Sequence, residues 1–211
     1  MEHTIIIYYT FCSQKENIPG SYLKYQREIA DKILNYSLKK HFHMMFDRDK
    51  VKRGSHGKPY WSGEEAMWFN VSNTEGLVVC AIASLEIGVD AERLRGVRLP
   101  VIRRSCSQKE VNYILDGTEA FPEQSKELLG ELEQERFFRI WTLKESYIKM
   151  TGDGMSFPLQ EAEFLIKEKK NGKTDITCSQ AGYFMQRKIA DYWVSVCGSQ
   201  QAEVVWQEIS I

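Results

Sequence analysis

A chain of 211 residues with 28 basic and 29 acidic side chains has a formal net charge of -1, so no global field draws it to nucleic acid or a membrane surface. With 43% hydrophobic and 12% aromatic residues it has ample apolar mass for a packed core and is far from a disordered composition. The five cysteines (Cys12, Cys80, Cys106, Cys178 and Cys197) are odd in number, widely spread and free of any C-x-x-C, which predicts reduced thiols in a cytoplasmic protein. Four histidines offer only His41-x-His43 and no H-E-x-x-H, which argues against a zinc hydrolase. The apolar run GLVVCAIASL is too short to span a bilayer, and MEHTIIIYYTF lacks the basic start and cleavage site of a signal peptide.

In chain order, residues 4 to 11 (TIIIYYTF) are β-branched and aromatic and predict a strand. After a Pro19-Gly20 turn, apolar positions at Leu23, Ala30, Ile33, Leu34 and Leu38 predict an amphipathic helix. The stretch DRDKVKRGSHGKPYWSGEEA is polar and punctuated by glycine, hence a loop; WFNVS, GLVVCAIA and LEIGVDAE then predict three strands. Ser107 followed by Glu110 is a capping box opening a short helix through Ile114. A long helix is expected from about Gln124 to Met150, with Gly130 as the candidate point of interruption, ending at GDGMSFPL. Four strands close the chain, EAEFLI, GYFMQRK, DYWVSVCG and EVVWQEI, with a hairpin-type turn at Asn171-Gly172. Both parts run helix first and strand hairpin second. The fold expected is therefore α+β and pseudo-duplicated, each half a helix packed on a small, mostly antiparallel sheet, with boundaries at 1–96 and 97–211 and a site in the cleft between them.

Within FFRIWTLKESYIKM, a helix at about 100° per residue puts Glu145 between Phe138 and Trp141, and Lys144 also falls among apolar neighbours. Such charges cost several kcal/mol unless paired or bound to a metal. Glu145 and Lys149 could be an i, i+4 surface pair, which accounts for Lys149 but not for Lys144 and Glu145. In IGVDAE, Asp90 and Glu92 share one side of a strand, either as a strand end reaching solvent or around a cation. Three carboxylates without histidine or cysteine describe a hard, oxygen-liganded ion such as Mg²⁺.

Four blocks in order, GKPYW, FNVSN, IGVDAE and WTLKESYIK, starting at positions 57, 69, 87 and 141, resemble the signature of the 4′-phosphopantetheinyl transferases. Length, order and spacing are similar to the surfactin-synthetase-activating type, a single chain of two similar halves. The resemblance implies that Asp90, Glu92 and Glu145 hold Mg²⁺, or Mn²⁺, and that Lys144 and Lys149 contact the phosphates of coenzyme A. It implies Lys58, followed by Pro59, at the nucleotide and Ser72 on its phosphates. Asn73 stands where the family usually has histidine and offers an uncharged amide donor instead. Arg27, with Lys24 behind it, is the candidate contact for the 3′-phosphate.

The activity implied is transfer of the 4′-phosphopantetheine arm of coenzyme A to a serine of an apo acyl or peptidyl carrier protein. Catalytic roles would fall to Glu145, as a proton acceptor, and to Lys144 and Lys149. Residues 101 to 121, with Arg103 and Arg104, are the expected docking region for an acidic carrier, and the chain is expected to act as a monomer. A coenzyme A-binding homologue without transfer, and another Mg²⁺-dependent phosphotransferase, are the alternatives.

Overall fold

The β-branched N-terminal run forms strand β1 (His3–Phe11), and the amphipathic stretch after it forms helix α1 (Ser21–Phe42). The structure, a computed structural model, describes residues 3–12, 21–54, 56–63, 67–116, 128–170 and 174–211. The expected turns at Pro19-Gly20 and Asn171-Gly172, and the helix start near Gln124, lie outside those residues. The polar stretch read as loop contains a small antiparallel hairpin, β2 (Val51–Arg53) and β3 (Pro59–Trp61). Strands β4 (Trp68–Thr74), β5 (Leu77–Ala83) and β6 (Ile87–Arg93) follow where WFNVS, GLVVCAIA and LEIGVDAE predict them.

Helix α2 (Leu99–Ser105) was not anticipated; Pro100 in its first turn suits a helix start, where an N–H has no partner anyway. Helix α3 (Gln108–Ile114) opens with the complete Ser107–Glu110 capping box. Helix α4 (Glu131–Thr151) starts at Gly130 and stops at Gly152, whose φ of 81° is the left-handed conformation that glycine supplies at helix ends. Then come β7 (Phe164–Glu168), β8 (Thr174–Cys178), β9 (Tyr183–Ile189), β10 (Tyr192–Gly198) and β11 (Ala202–Glu208). Of these, β8 had no counterpart in the sequence reading.

The fold is α+β, in four layers. Strands β11-β1-β5-β4 form one sheet, parallel at β1–β11 and antiparallel elsewhere, and β6-β10-β9 form a second, antiparallel sheet. Strand alternation gives each sheet two apolar faces. Tyr8, Val78, Cys80 and Ile82 face Ile33, Leu34 and Leu38 of α1. Ile5, Ile7, Leu77 and Val79 face Ile87, Val89, Val194 and Val196 of the second sheet. Trp193 and Cys197, on the outer face of that sheet, pack with Phe138, Leu143 and Tyr147 of α4.

Two helix-on-sheet units are thus present, but a boundary at 96/97 does not follow the packing. Strand β6, from the first part of the chain, pairs with β10 in the second unit's sheet, and β11, from the last, pairs with β1 in the first unit's sheet. Each unit completes the other by lending it a strand, because backbone pairing and burial of both faces outweigh sequence proximity. All five cysteines are free thiols. No helix among the described residues is long and apolar enough to cross a membrane.

Candidate active site

Strand β6 is an edge strand of its sheet. Its β10 side is paired along the backbone, while on the other side the N–H groups of Val89 and Ala91 are taken by side chains of β4. Asn70 Oδ1 accepts from Val89 at 2.9 Å and Ser72 Oγ accepts from Ala91 at 3.1 Å. Two polar residues spaced i, i+2 on β4 therefore finish the edge of β6. An unpaired buried N–H would cost about 1–3 kcal/mol, which is the physical reason for this Asn-x-Ser spacing.

On the face of β6 toward α4, Gly88 comes before Asp90 and Glu92. A Cβ on Gly88 would stand 2.1 Å from the carbonyl oxygen of Ser146 and 2.3 Å from the backbone nitrogen of Met150. Glycine in mid-strand thus lets α4 lie directly on β6, which is what brings Lys149 to Asp90.

Asp90 is 5% exposed, and its Oδ1 receives Lys149 Nζ at 2.7 Å and Ser72 Oγ at 3.0 Å. Lys149 also donates to Ser72 Oγ at 3.0 Å, so the lysine of the expected i, i+4 pair reaches across to the strand. The second carboxylate oxygen, Asp90 Oδ2, is buried and has no hydrogen-bond partner among the described residues. Glu145, half-buried, has its pKa raised by burial and then by the negative charge of Asp90 and Glu92, with Lys149 opposing. Glu92 is engaged by Arg95 at 2.6 Å.

Of these side chains Glu145 and Lys149 line a cleft of about 930 Å³ built from both units, with Lys58, Pro59 and Asn70 on one side and Arg104 and Trp141 beside Glu145 and Lys149 on the other. Lys58 donates to the carbonyl of Met150 at 2.5 Å, at the negative end of α4, and burial lowers its pKa. Helix α2 puts Val101 and Arg104 on the rim.

The donors fit a divalent cation in kind: three carboxylates with no imidazole or thiolate in the set, and one buried carboxylate oxygen without a partner among the described residues. They are not preassembled, since no three carboxylate, histidine or cysteine groups among the described residues are gathered closely enough to hold a metal.

Several expectations need correction. Lys144 does not reach the cleft. It is 0% exposed and ion-paired at 2.8 Å with Glu110, itself 0% exposed, and it donates to the carbonyls of Leu159 at 2.8 Å and Ala162 at 2.5 Å. All three ammonium protons are used. Glu110 Oε2 also accepts from Ser107 N at 2.7 Å, and Oε1 from Phe164 N at 2.8 Å, so capping box and buried lysine are parts of one clasp joining α3, α4 and residues 159–164.

Ser72 is saturated by Asp90, Lys149 and Ala91, and in this conformation positions them without presenting a free hydroxyl to a phosphate. Asn73, one residue on, faces the opposite side of β4 and donates to Gln26 Oε1 of α1 at 3.0 Å, away from Asp90. Arg27 and Lys24 are exposed on α1, whereas Gln26, facing inward, binds the carbonyl of Thr74 at 2.6 Å.

The functional residues that sequence reasoning missed are Asn70, Gly88 and Glu110. Asn70 and Gly88 carried signals, a polar i, i+2 pair and a glycine within a strand; nothing local joined Glu110 to Lys144.

Residues 86–197 match the model of the 4'-phosphopantetheinyl transferase superfamily. A 4'-phosphopantetheinyl transferase of Bacillus subtilis is 28% identical over 146 residues, 68% of this chain and 60% of that protein. The 4'-phosphopantetheinyl transferase gsp of Aneurinibacillus migulanus is 31% identical over 108 residues, 51% of this chain and 40% of that protein. The chain spans about half the length of the curated relatives it matches. A holo-[acyl-carrier-protein] synthase of Thermotoga maritima aligns at a TM-score of 0.38 and 16% identity, over 54% of this chain and 62% of that one, too slight a likeness to bear on the fold. The span matched by the family model is more than half of the chain and contains β6 with Asp90, α4 with Glu145 and Lys149, and the clasp behind them: this chain belongs to the 4'-phosphopantetheinyl transferase superfamily.

Proposed function

We propose that the protein transfers the 4′-phosphopantetheine arm of coenzyme A to a serine of an apo acyl or peptidyl carrier protein, releasing adenosine 3′,5′-bisphosphate. The observation that carries this reading is Asp90, with one buried unpartnered oxygen, beside Lys149 and Glu145 at a cleft walled by both units. The serine oxygen forms a bond to the β-phosphorus while the anhydride bond to the α-phosphate breaks, its electrons leaving with the bisphosphate. Such a transfer needs positioning and charge neutralisation more than covalent help. Lys149, on the cleft wall, supplies positive charge to the phosphates. Glu145 accepts the serine proton, a role suited to a carboxylate whose pKa lies above the usual range. Mg²⁺ or Mn²⁺, held by Asp90, Glu92 and Glu145, would supply further neutralisation of the diphosphate.

Lys58 holds the end of α4 and Pro59 shapes the cleft wall at the nucleotide side. Val101 and Arg104 on α2 offer an apolar and cationic rim to an acidic carrier. A monomer acting in the cytoplasm suffices, because one chain builds both walls. The test is incubation with coenzyme A, Mg²⁺ and an apo carrier, with mass spectrometry of the carrier. Gain of the phosphopantetheine mass is expected, with no gain in Asp90→Asn; an unmodified carrier from several pathways, with coenzyme A bound, would leave a binding protein instead.

A further inference from the structure

Lys149 Nζ lies 2.7 Å from Asp90 Oδ1 and 3.0 Å from Ser72 Oγ, and Asp90 is 5% exposed. Without this ammonium the Asp90 carboxylate would be a buried charge with the Ser72 hydroxyl as its one partner among the described residues, an arrangement that proteins avoid. Lys149 is therefore the counter-ion that makes the ligand-free site tolerable. The same position is the one a divalent cation bound to Asp90 would have to neutralise, and a cation beside an ammonium on one carboxylate is repelled by it. Consistent with this, the three carboxylates near the cleft do not converge into a metal-ready group among the described residues.

We infer that Lys149 is an exchangeable counter-ion: in the ligand-free protein it occupies the charge position at Asp90 that a divalent cation takes when the site is loaded. The inference rests on the metal reading proposed above. An anionic phosphate in the cleft draws the ammonium off Asp90, since the lysine stem is long and lies on the cleft wall. Displacement of Lys149 then raises the affinity of Asp90 for the cation. By linkage the cation raises the affinity for phosphate to the same degree, so the two bind cooperatively. Ser72 stays behind with its hydrogen bond to Asp90, holding the carboxylate in place during the exchange.

The test measures Mn²⁺ binding to the nucleotide-free protein by the electron paramagnetic resonance of free Mn²⁺. Lys149→Met keeps the unbranched stem and removes the charge, and should bind Mn²⁺ at least tenfold more tightly than the parent. Lys149→Arg keeps a cation at Asp90 and should bind no more tightly. Adding Asp90→Asn to Lys149→Met should erase the gain. Equal or weaker binding by Lys149→Met, with measurable binding by the parent, overturns the exchange and leaves the metal reading intact. A gain that survives Asp90→Asn also overturns it, by moving the cation elsewhere. No Mn²⁺ bound by any variant overturns both.

Should Lys149→Met fail to fold, the parent supplies a second reading. The Lys149 ammonium N–H signal in the nuclear magnetic resonance spectrum, identified by its loss in Lys149→Arg, should be present without metal and shift or vanish at saturating Mg²⁺. An unchanged signal at saturation overturns the exchange.

Discussion

Two segments of the molecule repeat the same strand and connection lengths. Strands β4, β5 and β6 are each seven residues long, as are β9, β10 and β11. The connections match as well, residues 75–76 and 84–86 in the first copy against 190–191 and 199–201 in the second. Trp68 thus answers Tyr183, and Arg93 answers Glu208. The chemistry does not repeat. Asp90 and Glu92 answer Val205 and Gln207, Asn70 and Ser72 answer Met185 and Arg187, and Gly88 answers Glu203. In the first copy α4 lies on the strand and Lys149 pairs with Asp90; in the second, Lys40 of α1 donates to the neutral Gln207 at 3.4 Å. The third strands also dock differently, β6 directly on β10 and β11 on the intervening β1. The strand and loop lengths repeat, and docking together with a handful of side chains decides which copy carries the charged site.

The largest effect that would sharpen this contrast is expected at α4's buried charge, which α1 lacks. Lys144→Ala should cost about 3–5 kcal/mol, because Glu110 is left buried and unpaired. Urea denaturation reads it directly. If stability is unchanged while transfer is lost, Lys144 acts on substrate and the clasp assignment is wrong.

Gly88→Ala comes next. Its Cβ would strike the backbone of α4, which cannot yield as a side chain would, so a loss of roughly 3 kcal/mol and a severe drop in transfer are expected. Glu203→Ala at the answering position, exposed on β11, should stay within about 0.5 kcal/mol. Comparable losses at both positions would mean that the copies are packed alike after all.

Asn70→Ala should cost about 1–3 kcal/mol by orphaning the Val89 N–H. Met185→Ala, at the answering position and half exposed, should cost less. Equal costs in thermal melts would remove the edge-finishing role of Asn70.

Smallest is the stability effect of Glu145→Gln, and its sign carries the information. The folded-state pKa of Glu145 is raised, so the unfolded chain holds fewer protons on this group. Its contribution to stability therefore falls as pH rises from the usual carboxylate range through the raised value. Metal-free Glu145→Gln should match the parent in acid and be equally or slightly more stable near neutral pH, while transfer is lost. Mg²⁺ with coenzyme A should raise the parent's Tm more than the variant's, since ligands of the native state stabilise it by mass action. A clear loss of metal-free stability in the variant would make Glu145 a structural residue.

Much of this protein was determined by local sequence. Short runs rich in β-branched and aromatic residues predicted β1, β4, β5, β6, β9, β10 and β11, and an S-x-x-E pattern predicted the start of α3, because strand propensity and helix capping depend on near neighbours. The grouping of Asp90 with Glu145 was suggested by carboxylates without histidine or cysteine and strengthened by the resemblance of their motifs. Tertiary structure alone decided the rest. Lys144 and Lys149 belong to the same helix and the same motif, and nothing local says that one ammonium is sealed behind the clasp while the other lines the cleft. The difference comes from what α4 packs against: α3 and residues 159–164 on one side, β6 on the other. The mutual loan of β6 and β11, likewise, is settled by which sheet edges are free to pair, a long-range outcome that period and propensity do not encode.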